Sequence, residues 1–163
     1  MKKLGLLLIL ALTIVSCNDD DGVNIAYEYA PITAYDFPEF FEAGETYDLE
    51  VTYELPDACH NFVGIDGNSK EVSGGVEIYL GALTTYNPNL EVCDEEDDDL
   101  SRDRTIENFR IPTTADDGDV YTFFLLSGQD EDGDAEYTEV EIPVGAPDDE
   151  GDNTQETTEE SSN

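Results

Sequence analysis

Tyr47-Asp48-Leu49-Glu50-Val51-Thr52-Tyr53-Glu54-Leu55 is the stretch whose reading decides the fold. Tyr47, Leu49, Val51, Tyr53 and Leu55 are apolar; Asp48, Glu50, Thr52 and Glu54 between them are polar. A period of two sends alternate side chains to opposite faces, so this is a half-buried antiparallel strand with one face on a core and one on water. Pro56-Asp57 ends it. The same grammar extends outward. Ile25–Phe37 is rich in Tyr, Ile, Thr and Phe but holds Pro31, which predicts an edge strand that the proline can split. Pro38 and Glu42-Ala43-Gly44-Glu45 carry turn signals.

On the C-terminal side, Cys59–Ile65 reads as a strand closed by a turn at Asp66-Gly67-Asn68. Val76, Ile78 and Leu80 alternate again with Glu77 and Tyr79. Asn87-Pro88-Asn89 is a turn, Leu90–Cys93 a short extended piece, and Thr105–Ile111 a strand stopped by Pro112. Val120–Ser127 and Glu136–Val144 form a hairpin across Gly128–Asp134. Seven to eight strands with frequent turns and no helix after residue 16 predict an all-β, single antiparallel β-sandwich spanning residues 25–144. Residues 145–163 hold seven acids, no base and no aromatic side chain, and are expected to be a disordered acidic tail.

One short motif refines the class. Asp117-Gly118-Asp119-Val120-Tyr121-Thr122-Phe123 resembles the turn and tyrosine that open strand F of immunoglobulin-like sandwiches. The resemblance implies that the Tyr121 hydroxyl bonds back to the backbone at the corner. Phe123 stands where that family places a cysteine, so its usual B–F disulfide is not expected. A fold-level likeness of this kind carries no function.

The N-terminus speaks to location. Met1-Lys2-Lys3 is basic and Leu4–Val15 is an apolar run of 12 residues. As a helix it is about 18 Å long, too short for a hydrocarbon core of about 30 Å, and it reads as the h-region of an export signal covering residues 1–16. Ile14-Val15-Ser16-Cys17 resembles the lipobox of bacterial lipoproteins, with Ile as a tolerated variant at its position. That resemblance implies cleavage before Cys17 and lipidation of its thiol; two or more acyl chains give stable anchoring where one does not. The tether of residues 17–24 includes Asn18-Asp19-Asp20-Asp21, which resembles the acidic export signal of surface lipoproteins in the Bacteroidota. An outer-membrane, outward-facing lipoprotein is the expectation; a periplasm-facing anchor is the alternative. The whole layout resembles uncharacterised small lipoproteins of that phylum, which fixes no activity.

Charge and cysteines bound the rest. The 163-residue chain has 6 basic and 41 acidic residues. Cleavage after Ser16 leaves Lys70, Arg102, Arg104 and Arg110 against all 41 acids, a formal −37. Such a surface repels nucleic acid, whose binding runs on Lys and Arg contacts to phosphate. It also repels anionic headgroups, so contact with the membrane falls to the acyl chains. With Cys17 assigned to lipid, Cys59 and Cys93 remain as an even pair in an oxidising compartment, and a disulfide between them is expected. A metal or catalytic thiol pair is the alternative, weakened by a single histidine and the lack of a CxxC spacing.

Chemistry-bearing patterns are few. The hairpin tip places Asp130, Asp132, Asp134 and Glu136 at every second residue around Gly133, a candidate calcium site because calcium takes six to eight oxygen ligands. Aligned as an EF-hand ending at Glu139 it would put Gly128 at the first ligand position, so it is not that motif. In a chain this acidic, a solvated loop gives the same pattern. The run Asp94–Asp99 could hold cations diffusely. His60 is the only histidine and, on a strand beside Cys59, should face the other way as a half-buried or surface residue. No GxSxG, HExxH, P-loop or dinucleotide glycine pattern is present, and carboxylate pairs discriminate nothing here. Among possible glycan-stacking rings, Tyr86 beside Asn87-Pro88-Asn89 is the best exposed candidate; there is no Trp. The expectation is a lipid-anchored, non-catalytic binding or accessory protein with an unknown protein or glycan partner. A calcium-binding sandwich is the alternative, and a small hydrolase is less favoured.

Overall fold

A computed structural model describes residues 24–90, 92–93 and 99–146. The expectations for the signal segment, Cys17, most of the acidic tether, most of the Asp94–Asp99 run and the tail beyond residue 146 lie outside the described residues. Within them the chain forms eight strands and no helix. These are β1 (Ala26–Ala30), β2 (Ile32–Asp36), β3 (Thr46–Glu54), β4 (Asn61–Val72), β5 (Gly75–Tyr86), β6 (Ser101–Arg110), β7 (Val120–Gln129) and β8 (Ala135–Pro143).

They build two sheets. One has the order β1-β5-β7-β8 with β4 on the opposite edge of β5, and the other has the order β2-β3-β6. Pro31 splits the first extended segment as expected, and its two halves join different sheets. Strand β3 keeps its alternation: Leu49, Val51 and Tyr53 are buried while Asp48, Glu50 and Glu54 are exposed. The inner faces meet in a sandwich-like core of Leu49 and Val51 from one sheet with Ile78, Leu80, Phe123, Leu125 and Ile142 from the other. Phe41, fully buried, sits at its centre against the rings of Tyr47, Phe109, Tyr121 and Phe123. Its amide donates to the Pro143 carbonyl at 2.8 Å, and its carbonyl accepts from Gly145. A second cluster joins Tyr53, Ala30 and Ala82, with Phe62 stacked on Tyr53 at 4.7 Å.

Three features depart from the sequence reading. Asp66-Gly67-Asn68 is not a turn: β4 runs through it to Val72, and the chain reverses at Ser73-Gly74. Gly74 and Gly75 supply the positive φ (84° and 155°) that the reversal needs. Gly67 instead allows close packing, since a Cβ there would lie 2.8 Å from Leu80 Cδ2. Next, the sandwich is not wholly antiparallel, because β5 and β7 pair in parallel from Gly75↔Val120 to Leu80↔Leu125. Finally, Leu90, Val92 and Cys93 are not in a strand. The turn before β7 forms as expected, with the Asp119 amide donating to the Asp116 carbonyl at 3.0 Å. Tyr121 is buried edge-on against Phe41, and burial pushes its hydroxyl pKa up.

Candidate functional site

A cleft opens where β5 changes partners. Up to Leu80 its edge is bonded to β7; from Ala82 the same edge is bonded to β1. Beyond Leu125 the β7–β8 hairpin therefore leaves β5 and projects past it, still paired to Gln129↔Ala135. Strand β1 forms one wall and the projecting hairpin the other. The space between has a volume of about 530 Å³, within the range of small-ligand sites. A hollow of about 390 Å³ adjoins it, sharing Glu28, Tyr29, Leu126 and Gln129.

Four tyrosines dominate the lining: Tyr27 and Tyr29 from β1, Tyr79 from β5 and Tyr137 from β8. Tyr27, Tyr29 and Tyr137 are 66%, 47% and 43% exposed, although all three lie on strands. The cause in β1 is the alternation Ala26-Tyr27-Glu28-Tyr29-Ala30. Small Ala30 faces the core and is fully buried, which leaves both rings on the outer face. Tyr79 stacks on Phe124 at 4.6 Å and 12°. Tyr137 stands perpendicular to both, at 85° and 88°. Edge-to-face and offset contacts of this kind hold rings in defined orientations.

Tyr29 is fixed at two points. Its hydroxyl donates to the Asp66 carboxylate on β4, across the floor of the cleft. That bond, helped by desolvation and the Asp66 charge, raises the Tyr29 pKa above its ordinary value. Its ring lies over Gly81, where a Cβ would come within 2.9 Å of Cδ1. Asn68 and Gln129 add amide groups to the lining, and Asp66 adds a carboxylate. Rings with a few convergent polar groups can hold an organic ligand by stacking and orient it by hydrogen bonds.

A second cluster surrounds the only histidine. His60 precedes β4 rather than lying on it, and it is buried, not the half-buried or surface residue expected. Its Nδ1 lies 2.7 Å from Asp57 Oδ1 and its Nε2 3.3 Å from Glu28 Oε2. The bond to His60 holds the Asp57 carboxyl below the usual carboxylate range against the opposing desolvation, with further help from the Cys59 amide at 2.9 Å. Cys59 and Cys93 are joined in the expected disulfide, with Cα atoms 5.8 Å apart. Asp57 and the two cysteines are the one set of three potential metal ligands that converges among the described residues. With both sulfurs in the disulfide, neither is a thiolate able to bind a metal.

The other sequence candidates fall elsewhere. Asp130, Asp132 and Asp134 share the β7–β8 loop, and Glu136 lies on β8 opposite Gly128. Asp130 Oδ1 accepts from the amides of Asp132 and Asp134, both at 2.9 Å, and so shapes the tip itself. Tyr86 is not the exposed ring expected: it is half-buried, with its ring 4.8 Å from His60. It shares the inner parity of β5 with Leu80, Ala82 and Thr84, all buried. The tyrosine cleft was missed because strand tyrosines read as core. The available signal was Tyr27 and Tyr29 alternating with small Ala26 and Ala30. Among the described residues no helix is long and apolar enough to cross a membrane. No family model, curated protein or solved structure matches the chain.

Proposed function

We propose that this chain is an outer-membrane lipoprotein, lipidated on Cys17 and facing outward. Its immunoglobulin-like β domain acts by binding, without catalysis, and the tyrosine cleft is the ligand face. Three exposed tyrosines converging on one cleft carry the reading, because a contiguous exposed aromatic patch marks an interaction site where singly exposed residues do not. The sequence support for the anchor is the apolar run ending in Ile14-Val15-Ser16-Cys17. Cys17 is also the one cysteine outside the disulfide. The formal charge of the mature chain, four bases against 41 acids, leaves the acyl chains as the means of holding a bilayer.

Labelled palmitate should enter the wild-type chain and not Cys17→Ser, and protease added to intact cells should remove the folded domain. Equal labelling of both chains would reject the anchor. Protection until the outer membrane is opened would reject display and favour the periplasm-facing alternative.

A further inference from the structure

We infer that the cleft takes a ligand with a cationic nitrogen head, a quaternary or primary ammonium group. The inference rests on the cleft being the ligand face and names the ligand class for it. Charge complementarity is the first ground. The lining carries the carboxylate of Asp66 and no basic side chain; Glu28 lines it too, but its carboxylate is turned to His60. Lys70, further along β4, is 3.3 Å from Glu77 and so brings little free positive charge to this face. The surrounding chain, with 41 acids and 6 bases, adds a negative field that favours cations and repels anions.

Ring geometry is the second ground. An aromatic face carries negative potential, and a cation within about 6 Å of a ring centroid is attracted to it. Tyr79 and Tyr137 stand 85° apart with centroids at 5.6 Å, so they make two walls of a corner rather than one flat platform. A corner suits a compact cation that touches several rings. A planar platform suits the face of a sugar. Asp66 adds a counter-charge on the cleft floor, held in place by the Tyr29 hydroxyl.

The test is calorimetry on the full chain with three probes. These are choline, its neutral isostere 3,3-dimethyl-1-butanol, and maltose as a neutral disaccharide. Choline should bind about ten-fold more tightly than the isostere, which has its shape but not its charge. Asp66→Asn keeps an acceptor for Tyr29 and should weaken choline about three-fold or more. Tyr137→Ala should weaken it similarly, with Tyr137→Phe restoring most of the affinity. Isostere binding equal to choline, or choline binding unmoved by both Asp66→Asn and Tyr137→Ala, would overturn the inference. Maltose binding without choline binding would overturn the ligand class and leave the cleft as the ligand face. Silence from all three probes would overturn the cationic class, while occupancy of the cleft in the native envelope is read separately by footprinting of its tyrosines.

Discussion

The ring of Tyr29 rests on Gly81, where a Cβ would come to 2.9 Å from Tyr29 Cδ1 and 3.6 Å from Leu126 Cδ2. Gly81 is also the residue at which β5 passes from β7 to β1. One position therefore both opens the cleft and seats the ring that crosses it. Gly81→Ala should lift Tyr29 and break its bond to Asp66. Because Tyr29 is about half exposed and can move, the stability cost should stay near 1 kcal/mol. Spectroscopic titration of the tyrosines reads the change: the Tyr29 hydroxyl, raised in the wild type, should fall back toward 10.0.

Gly75 is constrained by backbone rather than by a side chain. Its φ is 155°, and a Cβ would lie 1.9 Å from the Val120 carbonyl oxygen. This is where the parallel pairing of β5 with β7 begins, beside the bond from the Val120 amide to the Gly74 carbonyl at 2.9 Å. Gly75→Ala should cost about 3 kcal/mol or more, or prevent folding, because neither backbone can yield without breaking the pair. Urea denaturation of the variant against Gly64→Ala, where added volume meets nothing within 4 Å, checks it.

The Cys59–Cys93 bridge joins the segment before β4 to the crossover leading to β6, across 34 residues. Replacing both cysteines with Ala should lower stability by about 3–4 kcal/mol on the loop-entropy account. Reductant should have no effect on the double variant and should reduce the wild type to its level. Equal urea midpoints for oxidised and reduced wild type would count against the bridge as a main stabiliser.

Asp57 links stability to acid. Its carboxyl is held below the ordinary 3.8 by His60, so the folded state binds its proton less readily than the unfolded chain does. A depressed carboxylate contributes stability that is complete above the unfolded value and lost as pH falls through the folded one. Relative to Asp57→Asn, the wild type should be favoured just above pH 3.8, and that margin should shrink as acid is added below it. Paired melts across that range measure it. Asp57 is partly exposed, so the margin should be modest.

What the sequence disclosed follows from how local each signal is. The alternation of β3 was legible because a half-buried strand writes its two environments into neighbouring residues. Pro31 marked the split between β1 and β2 because its ring and missing N–H act at one position. The continuation of β4 through Asp66-Gly67-Asn68 was not legible, since the same residues serve a turn or the packing of Gly67 on Leu80. The parallel pairing of β5 and β7 is a long-range choice with no local mark. Phe41, between Pro38 and a turn, gave no periodic cue to its central place in the core. For the cleft the difficulty was parity. Tyr27, Tyr29, Tyr79 and Tyr137 have the composition of a core, and only the strand register shows that they face outward while Tyr86 faces in.

The most direct measurement is hydroxyl-radical footprinting of the protein in its native outer membrane, compared with the purified full chain. Tyr35 on β2 is 46% exposed and is the reference outside the cleft. If the cleft is the ligand face, oxidation of Tyr27, Tyr29 and Tyr137 should fall several-fold in the native envelope while Tyr35 stays unchanged. Equal oxidation of all four tyrosines in both preparations would contradict it.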